Sequence, residues 1–389
     1  MAGVSGTIGV TGVSGCLGNL TGGGGGPIPM GSILPITGLL KAYGPGMQKA
    51  VNIAKKDIND AGGPLGRQLE VFNKDSGTSA QQAISKYESL VNEQNIVGFV
   101  GAASSGVSVP LAKKVAADQV MQVSNASTSP VLATLGYNQD KTVKYFGRTA
   151  PNDAQQGIVM ARILEEQQYV GADKAAFLHV DNPYGKGLAM QAKESFNGTV
   201  TNVVPYNPNA SDFTSTLDKL FQDDPQGIGF VGYPGKGRTI LKQWAEGGYG
   251  GQWVLSEGLN SDKFLKDLKN IVSGMYLASP DPEQTVGAER FKNKIGEANT
   301  LFAAHAYDAL FLMALAIHKA GSADDGTPIA KNIRPVSRQG QTVTVGEFAE
   351  AKDLLDNGND INYQGASSPV NLDPQLEPLN RFAILRIQS

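Results

Sequence analysis

The sequence predicts an α/β protein made of two doubly wound, parallel-sheet lobes joined by a three-stranded hinge. From Ile28 onward, apolar strand-like runs alternate with amphipathic helical stretches, the pattern that winds a parallel sheet through βα crossovers. The alternation breaks at RTAPND, Arg148–Asp153, and then starts afresh, which calls for a second sheet. At 389 residues the chain is also long enough to divide between cores rather than extend a single one.

In chain order, GSILPITG reads as a first strand followed by a crevice loop. Residues Met47–Ala61 then carry Val51, Ala54 and Ile58 at helical spacing and stop at Gly62-Gly63. QLEVFNKD, IVGFVGA and VMQVS are the next strands, separated by helices containing Ile84, Tyr87 and Val91, then Leu111 and Val115. After the break, AAFLHVD, VTNVVPY, GIGFVGY and QWVLSE supply the second sheet. The chain changes character at Ser279-Pro280-Asp281-Pro282, and two helices follow, the second strongly apolar from about Leu301 to Lys319. A Gly- and Asn-rich stretch, read as irregular, precedes the final strand RFAILRIQ. Crossings near residues 149, 279 and 371 divide the chain into 27–149 and 280–370 for one lobe, 150–279 and 371–389 for the other. A triple connection of this kind permits hinge closure about a ligand.

Composition narrows the function. With 33 basic and 36 acidic residues the formal net charge is −3, which offers no broad basic surface to nucleic acid or an anionic membrane. No helix-turn-helix segment precedes the first lobe. His179, His305 and His318, the only histidines, do not fall at metal-ligand spacing. There is no G-x-S-x-G elbow, and Gly44-Pro45-Gly46 and Gly235-Lys236-Gly237 lack the phosphate-loop and dinucleotide patterns. A non-enzymatic protein without metal or cofactor is expected.

The single cysteine, Cys16, excludes an internal disulfide. Val13-Ser14-Gly15-Cys16 resembles the lipobox of bacterial lipoproteins, in which the cysteine becomes a lipidated N-terminus, and Thr21–Gly26 then reads as a glycine-rich tether. Residues 1–26 are accordingly expected to be an atypical or truncated lipoprotein signal and tether, since Met1–Gly15 lacks a positive n-region and a long apolar core. No later segment has the ~18 to 20 continuous apolar residues that cross a bilayer.

The most informative residue is Glu257 in QWVLSEG, an acid where an apolar strand ends. Hydroxyl-rich segments also follow apolar runs earlier, SSGVS after IVGFVGA and NASTS after VMQV. The carboxyl ends of strands border the ligand crevice of an open α/β sheet, so these segments can converge. Hydroxyls at Ser105 and Thr128 suit a carboxylate and Glu257 suits an ammonium; together they form a clamp for a free amino acid. Helix capping is the other common use of Ser105 and Thr128 after strands.

The segments GSILPITGLLKAYGPGM, KDINDAGGPLGRQLEV, VGAASSGVSVP, NASTSPVLATLGY, HVDNPYGKGLA, GFVGYPGKGRTILKQW, WVLSEG and AYDALFLMALA, in that order, resemble the periplasmic leucine/isoleucine/valine-binding proteins. These are the type I periplasmic solute receptors of amino-acid ABC transporters. The resemblance runs from about Pro29 to the C-terminus. It implies that Ser105 and Thr128 receive the ligand carboxylate, that the Ala126 carbonyl, Thr128 and Glu257 receive the ammonium, and that Tyr43, Tyr184, Tyr233 and Tyr307 are pocket walls. For Tyr307, within an apolar helix, core packing is the alternative. The implied protein is an extracytoplasmic, lipid-anchored monomer that presents a branched-chain or other neutral amino acid to membrane permease subunits. A short amide or urea as ligand, or a sensory role, is the alternative on the same fold. The chain departs from the family by placing Ser76 and Ser104 where leucine-binding relatives have a disulfide, and by a longer stretch around 340–362.

Overall fold

Short apolar runs buried on both faces need helices on both sides, and in the computed structural model, which describes residues 25–281 and 285–388, they form two such sheets. Strands β1 (Ile28–Leu34), β2 (Leu69–Asp75), β3 (Gly98–Gly101), β4 (Met121–Ser124) and β5 (Phe146–Arg148) lie in the order β2-β1-β3-β4-β5, all parallel. The second sheet takes β6 (Lys174–Val180), β7 (Thr199–Tyr206), β8 (Gly227–Val231), β9 (Gln252–Ser256) and β10 (Tyr276–Asp281). Strand order reverses beside β1 in one sheet and beside β6 in the other, which opens a crevice at the carboxyl ends of the strands. Residues 1–24, with Cys16 and most of the tether, lie outside the described residues.

After β10 the chain returns to the first sheet. Helix Ala303–Ala320 packs against helix Gly44–Asp60 and against β3 and β4, which accounts for its being apolar nearly all round. The stretch read as irregular is a small β-α-β unit: β11 (Gln341–Thr344) and β12 (Ile361–Gln364) pair in parallel around helix Phe348–Asp356. Its inward residues Val343, Phe348, Ile361 and Tyr363 are all buried. Strand β13 (Arg381–Arg386) then joins the second sheet antiparallel to β10, at its edge.

Tyr307 departs from expectation. It does not border the ligand crevice but belongs to the interior of the first lobe, its ring stacked on Phe311 at 5.5 Å and edge-on to Phe291 at 5.5 Å. Its hydroxyl donates to Asp57 Oδ2 at 2.8 Å and accepts the Gly346 N–H at 3.0 Å. The reason is helical phase: this face of Ala303–Ala320 is turned toward helix Gly44–Asp60, which carries Asp57.

The next residue, Asp308, is a buried acid with a structural task. Its carboxylate accepts the Tyr363 hydroxyl (2.7 Å), the N–H groups of Ala366 (2.7 Å) and Ser367 (2.8 Å), and the Ser367 hydroxyl (2.6 Å). Burial raises its pKa above the ordinary carboxylate value, and these bonds oppose the rise. Asp308→Ala leaves several buried donors unpaired and is expected to lower unfolding free energy by about 3 kcal/mol, measured by urea denaturation. Tyr307→Phe, which loses one hydroxyl, costs about 1 kcal/mol in the same assay.

Candidate functional site

Loops at the carboxyl ends of the two sheets meet around one cavity. Tyr43, Ser105, Ala126, Tyr184, Tyr233 and Glu257 all border it, although they are far apart in sequence. Leu40, Met47, Leu301 and Phe302 add an apolar wall, and Gly258 contributes backbone. The cavity has a volume of about 320 Å³.

Hydrogen bonds join the facing loops. The Tyr43 hydroxyl donates to Gly258 O at 3.0 Å, Ser129 Oγ donates to Pro183 O at 2.9 Å, and Ser104 Oγ lies 3.3 Å from the Tyr233 hydroxyl. Ser104, at a disulfide position of the leucine-binding relatives, is thus bonded across the crevice. Gly258 is required here: a Cβ would stand 2.5 Å from Gly232 O and 2.9 Å from the Tyr184 hydroxyl.

Ser105 opens helix Ser105–Ala112, and its Oγ accepts the N–H groups of Thr128 (3.2 Å) and Ser129 (3.1 Å). With both lone pairs engaged, the hydroxyl has its proton left to give. The first turn of the helix adds N–H groups without intrahelical acceptors. This end of the cavity is a donor surface, the chemistry that holds a carboxylate.

Thr128 has the opposite polarity. Its Oγ1 donates to Asp153 Oδ2 at 3.0 Å, so its lone pairs remain, and the side chain is buried without bordering the cavity. Thr128 is therefore tied to the acidic end, and its O–H is not offered to a carboxylate in this arrangement.

The acidic end holds more than sequence reasoning found. Glu257, at the end of β9, accepts Gln156 Nε2 at 2.6 Å and the Tyr184 hydroxyl at 2.9 Å on its Oε2. Asp153 and Gln156 stand one turn apart at the start of helix Asp153–Glu165, and Asp153 Oδ1 and Gln156 Oε1 have no partner. Burial pushes the Glu257 carboxyl up to about 7, against the pull of Gln156 and Tyr184. Asp153 is held well above the ordinary carboxylate range by burial first and the neighbouring Glu257 charge second, with the Thr128 hydroxyl and Arg148 opposing. Of the two buried acids, Glu257 borders the cavity and Asp153 lies behind its wall; a buried carboxylate facing a cavity has the charge that suits an ammonium. Asp153 was legible only as an acid in a first helical turn, which usually answers the helix dipole.

The aromatic walls divide likewise. Tyr184 and Tyr233 stack at 5.5 Å with planes 12° apart, and burial raises both hydroxyl pKa values, so both remain neutral donors. Phe302 stands in the wall at the place expected of Tyr307. It precedes helix Ala303–Ala320 in a left-handed conformation, φ +62°, outside any helical spacing. Among the described residues no group of three or more His, Cys, Asp or Glu could hold a metal ion, and no helix is long and apolar enough to cross a membrane.

Comparisons with known proteins agree with this architecture. A sequence model of the family described as periplasmic binding protein matches residues 27–352. The chemotactic signal transduction system substrate-binding protein BasB of Halobacterium salinarum is 33% identical over 93% of this chain and 87% of its own. A leucine-, isoleucine-, valine-, threonine- and alanine-binding protein of Pseudomonas aeruginosa is 27% identical over 82% of this chain and 85% of its own. Among solved structures, the branched-chain amino acid transporter substrate-binding protein LivJ of Streptococcus pneumoniae, in complex with isoleucine, superposes with a TM-score of 0.75 at 22% identity, covering 93% of this chain and 96% of that one. The chain belongs to the type I periplasmic binding proteins, the family that includes the leucine/isoleucine/valine-binding proteins.

Proposed function

We propose that this protein is an extracytoplasmic receptor for a free neutral α-amino acid, bound as the zwitterion between two closing lobes. One observation carries the reading: Ser105, with a proton to donate, and the buried carboxylate of Glu257 border the same cavity, with Asp153 buried behind its wall. The wall of Leu40, Met47, Leu301 and Phe302 suits an apolar side chain. Ala126 O is the further ammonium acceptor, and Tyr184 and Tyr233 cover the ligand backbone. The hinge crosses near residues 149, 279 and 371, and closure presents the loaded form to permease subunits of an ABC transporter. The receptor acts as a monomer, anchored through a lipid on Cys16.

A second reading keeps the receptor and changes the listener. The 33% identical relative is a chemotaxis substrate-binding protein, which favours a sensory complex as the reader of the closed form. The same pocket test separates amino acids from short amides or urea.

Ligand saturation at 100 times Kd stabilises the folded state by about 2.7 kcal/mol. Some neutral amino acids are therefore expected to raise Tm, with urea and short amides inert. Shifts with amides alone would move the assignment to that class, and no shift with any of them would remove it. Glu257→Gln exchanges a charge-assisted bond for a neutral one and is expected to weaken amino-acid binding about 10- to 100-fold by calorimetry.

The acidic end also sets a pH dependence whose two signs are opposite. An ammonium needs ionised Glu257, so affinity rises with pH through about 7 and then levels. Without ligand, the unfolded chain releases this proton near the ordinary value of 4.5 while the folded protein keeps it to about 7, so stability falls as pH rises between them. Titration calorimetry and urea unfolding from pH 5 to 8 check both trends, and Glu257→Gln flattens both.

A further inference from the structure

We infer that Arg148 is the positioning residue of the binding site, fixing the 126–129 loop from the hinge through its buried pair with Glu377. Arg148 ends β5 in the first crossing between the sheets and is 1% exposed. Its Nη1 donates to Ser127 O at 3.1 Å and to Ser129 O at 3.0 Å. The carbonyl between them, Thr128 O, accepts the Asp153 N–H at 2.9 Å. Three successive carbonyls of the loop are thus held from the 148–153 segment, while two of its N–H groups are held by Ser105 Oγ on the cavity side. The loop that carries Ala126 and Thr128 has little freedom left.

The other half of the guanidinium reaches the third crossing. Arg148 Nε donates to Glu377 Oε2 at 2.6 Å, Nη2 bonds the same oxygen, and the Arg148 N–H donates to Leu376 O at 2.9 Å. Glu377 Oε1 accepts Asn152 Nδ2 at 3.1 Å, and Asn152 Oδ1 caps the helix that carries Asp153 and Gln156 by accepting the Ala154 N–H at 2.9 Å. One ion pair therefore braces the 126–129 loop and, through Asn152, the start of the helix that carries Asp153 and Gln156, and it joins two of the crossings about which the lobes turn. A buried ion pair gains little stability over an apolar replacement, so stability alone is a poor reason for it. Its use here is registry: closure and loop geometry share the same bonds.

This inference rests on the amino-acid reading for its ligand, but its first readout does not. Amide exchange by NMR at Thr128 and Ser129, compared with Val100 in β3 and Val123 in β4, measures loop order against global stability. In Arg148→Lys, which keeps the charge but loses the planar fork, the loop amides are expected to exchange about tenfold faster relative to the strand amides, and Kd for the amino acid to rise about tenfold. Glu377→Gln, a milder change, should move both readouts the same way by less, and it carries the test alone if Arg148→Lys does not fold. Equal changes at loop and strand amides would make Arg148 merely structural and overturn the inference. Faster loop exchange with unchanged Kd would also overturn it. If the unaltered protein binds no amino acid, the proposed ligand fails, while the exchange ratio still decides whether Arg148 orders the loop.

Discussion

The burial of the Glu257 carboxylate at the cavity wall, with a second acid, Asp153, buried behind it, is the constraint on which the site depends. Glu257 and Asp153 follow different strands, and both are buried. Charges so placed hold protons or seek a partner. The neutral donors around them, Gln156, Tyr184 and Thr128, soften the cost without cancelling it. On the amino-acid reading, the ligand's ammonium supplies the positive charge that Glu257 lacks, and that need selects ligands before any side chain is read.

Buried charge is treated in the opposite way between β5 and the segment before β13. Arg148 and Glu377 are both buried, and each is met by the other and by neighbouring carbonyl or amide groups. A satisfied pair can hold geometry through a movement, whereas an unsatisfied pair responds to a ligand. The protein keeps the two kinds within a few residues of one another, at Arg148 and Asp153. The arrangement lets the rigid element set the position of the responsive one.

Much of this was readable from sequence because parallel strands buried on both faces leave plain apolar runs; β3, β4, β8 and β9 each lie within one, and β1, β2, β6, β7 and β13 overlap the other segments read as strands. Glu257 was legible for the same reason, as an acid where a run stops. The 341–364 unit was not, since its strands are only four residues long and bury few positions each. Phe302 and Tyr307 show a different limit. Both are aromatic and close in sequence, but the left-handed turn at Phe302 sends one to the cavity and the helical phase sends the other to Asp57. Asp153 and Gln156 were hidden in a segment whose sequence announced a crossing rather than a site.

The hydroxyls of Ser105 and Thr128 show why residue type alone leaves polarity open. Each can donate or accept, and only their partners decide which. Two backbone N–H groups fill the acceptor sites of Ser105, and a carboxylate takes the proton of Thr128. On the amino-acid reading, this fixed polarity makes recognition of the ligand backbone strict, because a reversed or missing charge leaves buried groups unpaired. Recognition of the side chain is looser, since a methylene against Leu40, Met47, Leu301 and Phe302 is worth only about 1 to 3 kcal/mol. A receptor built this way separates zwitterions from other solutes sharply and grades neutral side chains by size.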